Sequence, residues 1–138
     1  MASLSILIGR FLLGLYFLLP GLMKPASPTE TIAYMQSHAI AFAAPLMWLS
    51  ALVNIVGGLL LMSGRYVRLV AYGSVIYVLL VNGLLHDFWT MEGDNAARET
   101  QNFVKNMGIV AGLLVLAGHA PKRQLSVLGW WRSDRASA

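Results

Sequence analysis

The chain has 138 residues, of which 57% are hydrophobic and 12% charged, with a formal net charge of +4 and no cysteine. Soluble domains carry about 25% charged residues, so this composition, with a mean hydropathy of +0.65, excludes a water-covered globule. The lack of cysteine excludes a disulfide, a thiolate metal site and a CxxC relay, and the pI near 9.8 reads as charge bias between membrane loops rather than nucleic-acid binding.

Apolar runs at about 4–23, 45–63, 66–86 and 103–119 each approach the roughly 20 residues a helix needs to cross a bilayer. They predict an all-α, integral membrane four-helix bundle over residues 1–120, followed by a basic tail over 121–138. The first run is too long for the core of a cleavable signal peptide, has no Lys or Arg before it and no small-x-small site after it. It carries Arg10. An arginine within a span costs about 2.5–3.5 kcal/mol unless it snorkels or finds a partner. Asn54, backbone carbonyls freed by Gly or Pro, the inner headgroups and another subunit are the candidates.

Pro20-Gly21 loosens the end of this span and Lys24-Pro25 stops it. Ser27-Pro28-Thr29-Glu30 reads as a capping box with proline at the first helical position. It predicts a short helix over about 28–38, lying in the interface with Ile32, Tyr34 and Met35 on the membrane surface. Pro45 opens the second span, Trp48 suits its outer interface, and Ser63-Gly64 closes it. The turn to span three is short, which makes these spans antiparallel neighbours. From Asp87 to about Gln101 the chain is polar and acidic and reads as a mobile loop. Ser50, Asn54 and Gly58 on span two, and the Gly108/Gly112 pair on span four, form small-residue stripes of the kind that mark helix contacts in lipid.

Arg65, Arg68, Lys122, Arg123, Arg132 and Arg135 fall in the second loop and the tail, whereas only Lys24, Arg98 and Lys105 fall in or beside the other two loops, which also hold Glu30, Asp87, Glu92, Asp94 and Glu99. The positive-inside rule then places both termini and the second loop in the cytoplasm. Under that topology, polar residues from three spans converge near the outer headgroups: Lys24; Asn82 and His86, one turn apart; Trp89; and Asn102, Lys105 and Asn106. Asn54 lies deeper, and Arg10 lies in the inner half of span one.

Two readings fit the cluster. The lysines snorkel, His86 and Trp89 sit in the interfacial belt and the asparagines tie helices together; or these groups line a polar pocket for a quinone head group or another small polar ligand, with His86 able to pass a proton. His38, His86 and His119 are too scattered for a metal site.

The pattern resembles the DoxX family of small four-helix membrane proteins over nearly all of residues 6–118. The resemblance rests on Arg10-Phe-Leu-Leu-Gly14-Leu-Tyr-Phe17 with Gly21 and Lys24, on Gly57-Gly58, and on Gly64-Arg65 with Arg68. His86-Asp-Phe-Trp89 and Gln101-Asn-Phe103-Val-Lys105-Asn106 complete it. The family usually has a glutamate about where Asn54 stands, a natural partner for Arg10 that this chain lacks. The resemblance implies a multi-pass component of a bacterial inner-membrane redox system, since the family is associated with thiosulfate:quinone oxidoreductase and thiol homeostasis. The expected role is an accessory subunit that binds a quinone or lipid head group or anchors a redox partner. A quinone-linked oxidoreductase subunit and an oligomerisation or assembly factor are the alternatives. Expected partners are membrane lipids and redox protein subunits or further copies of the chain, with no nucleic acid. No covalently bound cofactor is expected.

Overall fold

The computed structural model describes residues 2–122 and 131–134, and among these residues the secondary structure is entirely helical. The elements are α1 (Ala2–Ala26), α2 (Pro28–Ser37), α3 (Ala43–Ser63), α4 (Val67–Leu85), a 3-10 turn at Phe88–Thr90 and α5 (Gly93–His119). Three segments, Leu4–Ala26, Ala43–Ser63 and Val67–Thr90, are long and apolar enough to cross a membrane. Many large apolar side chains on these helices point outward, among them Leu12, Leu52 and Ile76. In water such exposure would be ruinous, whereas in lipid it is the expected outer surface.

The long helices alternate in direction. α1 and α3 cross at glycines: a Cβ on Gly14 would lie 2.7 Å from the Gly58 carbonyl oxygen, and one on Gly58 would lie 2.6 Å from that of Gly14. Gly21 is similarly pressed onto the Ile55 backbone nitrogen, at 2.9 Å. α4 and α5 form the other closely packed pair. The apolar core lies between the pairs and towards the end that carries the α3–α4 turn, with Phe17, Leu61, Ala71, Val75, Val110 and Leu113 all buried. A smaller cluster of Met35, Ala43 and Met47 seats α2 on the start of α3.

Several local expectations change. α1 runs through Pro20 and past Pro25 to Ala26, because neighbouring helices hold a chain whose proline removes only one ladder bond. No capping box forms at Ser27; instead the Thr31 hydroxyl donates to the Ser27 carbonyl at 3.1 Å. The polar segment after Asp87 is not a loop throughout, since α5 begins at Gly93. Its first turns are polar because they stand proud of the apolar part of the helix. The Gly108/Gly112 stripe is not a tight contact: a Cβ on Gly108 would meet nothing within 4 Å, and one on Gly112 only Leu13 at 3.9 Å.

The α3–α4 turn explains Arg10. Gly64 adopts φ +72° and ends α3 in a Schellman arrangement, with Arg65 N–H donating to Leu60 O at 2.9 Å and Gly64 N–H to Leu61 O at 3.2 Å. The Arg10 guanidinium lies where a Gly64 side chain would be, its Nη1 only 2.5 Å from the ideal Cβ position. A cation there meets the negative end of the α3 dipole. Asn54 is ten residues away on α3, about 15 Å at 1.5 Å per residue, so Arg10 and Asn54 serve different ends. At the same turn Asp134 closes the start of α4, its Oδ2 accepting from Val67 N–H at 2.8 Å. Arg123 and Arg135 of the basic tail lie outside the described residues.

Candidate functional site

Away from the packed core, α1, α3, α4, α5 and α2 border a cavity of about 440 Å³ that opens to the outer surface past the exposed Leu49, Leu80 and Leu84. On α1 the lining residues Tyr16, Pro20 and Lys24 are spaced four apart and so share one face. α3 contributes Ser50 and Asn54, α4 contributes Tyr77, and His86 follows at its end; Lys105 and Asn106 come from α5. The remaining wall is apolar, and Met35 and Ile40 bring the α2 segment to the mouth.

Hydrogen bonds tie this rim together. Lys24 Nζ donates to the Tyr77 hydroxyl at 2.9 Å, which fixes a cation at the wall and leaves the phenolic proton available for another acceptor. The Tyr16 hydroxyl donates to Asn106 Oδ1 at 2.6 Å. Asn106 Nδ2 donates to Asn82 Oδ1 at 2.7 Å, and Asn82 Nδ2 to the Phe103 carbonyl at 3.2 Å. That chain of bonds locks α1, α4 and α5 in register. Asn54 is the exception: it is only 3% exposed, yet its Oδ1 has no hydrogen-bond partner among the described residues.

Above the cavity, His86 Nδ1 and Glu99 Oε2 are 2.6 Å apart, and Asn102 Nδ2 donates to the same Oε2 at 3.2 Å. Burial pushes the Glu99 carboxyl up, but the hydrogen bonds from His86 and Asn102 and the nearby His86 and His38 rings outweigh it and hold the group below its ordinary value. An ionised Glu99 can only accept, so Nδ1 carries the proton and Nε2 is the nitrogen left for a ligand. Beside this pair, His38 Nε2 and Asp87 Oδ1 are 3.6 Å apart, and the Tyr34 hydroxyl donates to Leu85 O at 3.1 Å. Burial, then Glu99 and Asp87, raise the Tyr34 hydroxyl above its ordinary value.

Of the residues singled out in the sequence, Lys24, Asn54, His86, Lys105 and Asn106 line the cavity. Asn82 and Asn102 sit behind it as bonding partners. Trp89 is outside, packed on Phe88 and Phe103 with ring centroids 5.2 and 6.2 Å away. Arg10 is at the opposite end of the bundle. Sequence reasoning gave Tyr16 and Tyr77 no site role, and placed Ser50 only in a packing stripe and Glu99 only in an acidic loop. The four-residue spacing from Tyr16 through Pro20 to Lys24 is the signal that could have found the first of them. No group of three or more His, Cys, Asp or Glu able to hold a metal occurs among the described residues.

The DoxX family model matches residues 5–87. The chain belongs to the DoxX family. This DoxX protein is also 30% identical to the inner membrane protein YphA of Escherichia coli (strain K12) over 120 residues, covering 84% of this chain and 83% of that protein. No solved structure matches significantly. With three helices among the described residues long and apolar enough to cross a membrane, this DoxX protein is a multi-pass protein of the inner membrane. The matched region holds Arg10, Lys24, Asn54, Tyr77 and His86, whereas the α5 side of the cavity lies beyond it.

Proposed function

We propose that this DoxX protein is an accessory subunit of an inner-membrane redox system whose cavity binds the head group of a quinone. In this reading residues 1–120 form a four-span bundle with α5 as the fourth span and both termini in the cytoplasm. α2 lies in the outer interface over the cavity mouth. The basic turn and tail against the acidic segments of the other end support that orientation, and the DoxX resemblance supports the redox setting.

The unpaired Asn54 Oδ1 carries the ligand reading. A buried acceptor without a donor costs about 1–3 kcal/mol, and Asn54 lines a cavity of about 440 Å³, within the roughly 300–1,000 Å³ range of small-molecule sites. The rim fits the group chemically. Lys24 and the Tyr77 hydroxyl are donors for a quinone carbonyl, and His86 Nε2 and Asn54 Oδ1 are acceptors for the hydroxyls of the reduced form. The apolar wall of leucines and valines from α3 and α4 suits a ring and the start of its tail.

Equilibrium binding of a short-tailed benzoquinone to the purified protein in nanodiscs tests this. Lys24→Met removes a hydrogen bond from a charged group, worth about 1.5–3 kcal/mol, and weakens binding by about tenfold or more. Asn54→Leu weakens the quinol more than the quinone. Unchanged affinity in both variants, with the bundle still folded, overturns the reading.

A further inference from the structure

The opposite end of the bundle holds a second pocket, of about 250 Å³, between the start of α4 and the chain that follows α5. Its cations are Arg68 and Lys122. Arg68 makes only a long bond to the Ala120 carbonyl, at 3.5 Å, and lies over the Tyr72 ring at 5.9 Å. Lys122 has no hydrogen-bond or ion-pair partner among the described residues, and neither cation pairs there with a carboxylate. The pocket's acid, Asp134, is engaged on the Val67 N–H. Two cations therefore share a pocket with one carboxylate that is held on a backbone N–H, which leaves the pocket net positive.

The surroundings say what kind of anion fits. Leu69 and Tyr72 line the pocket and are themselves 53% and 42% exposed, and Ile76, one turn further along α4, is 62% exposed. These three sit at helical spacing on one outward face, so an apolar track leads from the cations along the lipid-facing side of α4. We infer that this pocket is a binding site for an anionic phospholipid, with its phosphate on Arg68 and Lys122 and an acyl chain along Leu69, Tyr72 and Ile76. Basic pockets at the cytoplasmic ends of membrane helices hold anionic head groups by this combination of charge and apolar contact. A soluble phosphate would satisfy the cations but leave the track unused.

Native mass spectrometry of the full chain in mild detergent, titrated with phosphatidylglycerol or phosphatidylcholine, tests the site. The wild type retains phosphatidylglycerol preferentially. Arg68→Gln and Lys122→Gln each lower that preference roughly fivefold, and the double variant roughly 25-fold. The charge-keeping pair Arg68→Lys and Lys122→Arg preserves most of it, which separates lost charge from lost fold. Equal retention of both lipids by the wild type overturns the inference, as does an undiminished preference in the double Gln variant. Displacement of the lipid by glycerol phosphate at equal concentration also overturns it, in favour of a soluble-anion site.

Discussion

Gly58 is where the bundle tolerates least. A Cβ there would lie 2.6 Å from Gly14 O and 2.9 Å from Leu18 N, both backbone atoms of α1 that cannot turn aside as a side chain can. Ordinary contact begins near 3.4 Å, so Gly58→Ala must drive α1 from α3 by about 0.8 Å (3.4 less 2.6) at the crossing. Overpacking of this kind costs about 1–3 kcal/mol, against which alanine regains about 1 kcal/mol of helix propensity. The net expectation is a loss of up to about 2 kcal/mol. Gly108→Ala is the matched control, since its Cβ meets nothing within 4 Å. It should be neutral or gain up to about 1 kcal/mol. Reversible unfolding of both variants in mixed micelles, followed by circular dichroism, measures the difference. If Gly58→Ala unfolds with Gly108→Ala, the close α1–α3 crossing is wrong.

Asn106→Ala breaks its bonds to Tyr16 and Asn82; at about 0.6–1.7 kcal/mol per interhelical bond in a membrane bundle, unfolding in micelles should show a loss of about 1–3 kcal/mol. Stability indistinguishable from wild type would mean that the network does not tie the helices. Glu99 governs an acid limb. Its folded carboxyl lies below the ordinary value of 4.5, so its contribution is fully present above that pH and is lost as pH falls through the depressed value. Melting temperature measured between about pH 3 and pH 7 should therefore fall at the acid end in the wild type, and Glu99→Gln should show a lower plateau and a shallower fall. Identical pH profiles would remove Glu99 from the packing of the cavity mouth.

How much of this was visible beforehand follows from what each signal measures. Polar residues inside apolar runs are conspicuous, which is why Lys24, His86, Lys105 and Asn106 stood out. Helical period tells which residues share a face but not what that face meets. Asn82 and Asn102 consequently looked equivalent to their neighbours, although they bond behind the cavity rather than into it. Tyr16 and Tyr77 were hidden because a tyrosine among leucines reads as apolar until its hydroxyl finds Asn106 or Lys24. The start of α5 was masked by polarity, although Ala96, Ala97, Arg98 and Glu99 are all good helix formers. Glu99 was thereby assigned to a loop and separated from His86. Small-residue stripes misled in the other direction: Gly14 and Gly58 mark the crossing, but Gly108 faces away from it. Arg10 packs its guanidinium against Gly64 at the end of a helix rather than against an acidic side chain, and side-chain complementarity could not find that place.

The central claim is that the cavity holds a quinone head group, and photo-crosslinking tests it most directly. A short-tailed quinone bearing a photoreactive group on the ring is irradiated with the protein in nanodiscs, and labelled peptides are mapped by mass spectrometry. The account predicts label on the cavity faces around Pro20, Val53 and Tyr77, abolished by excess unlabelled quinone. Label confined to outward-facing residues such as Leu52, Leu59 and Ile76, or label that unlabelled quinone does not displace, would contradict it.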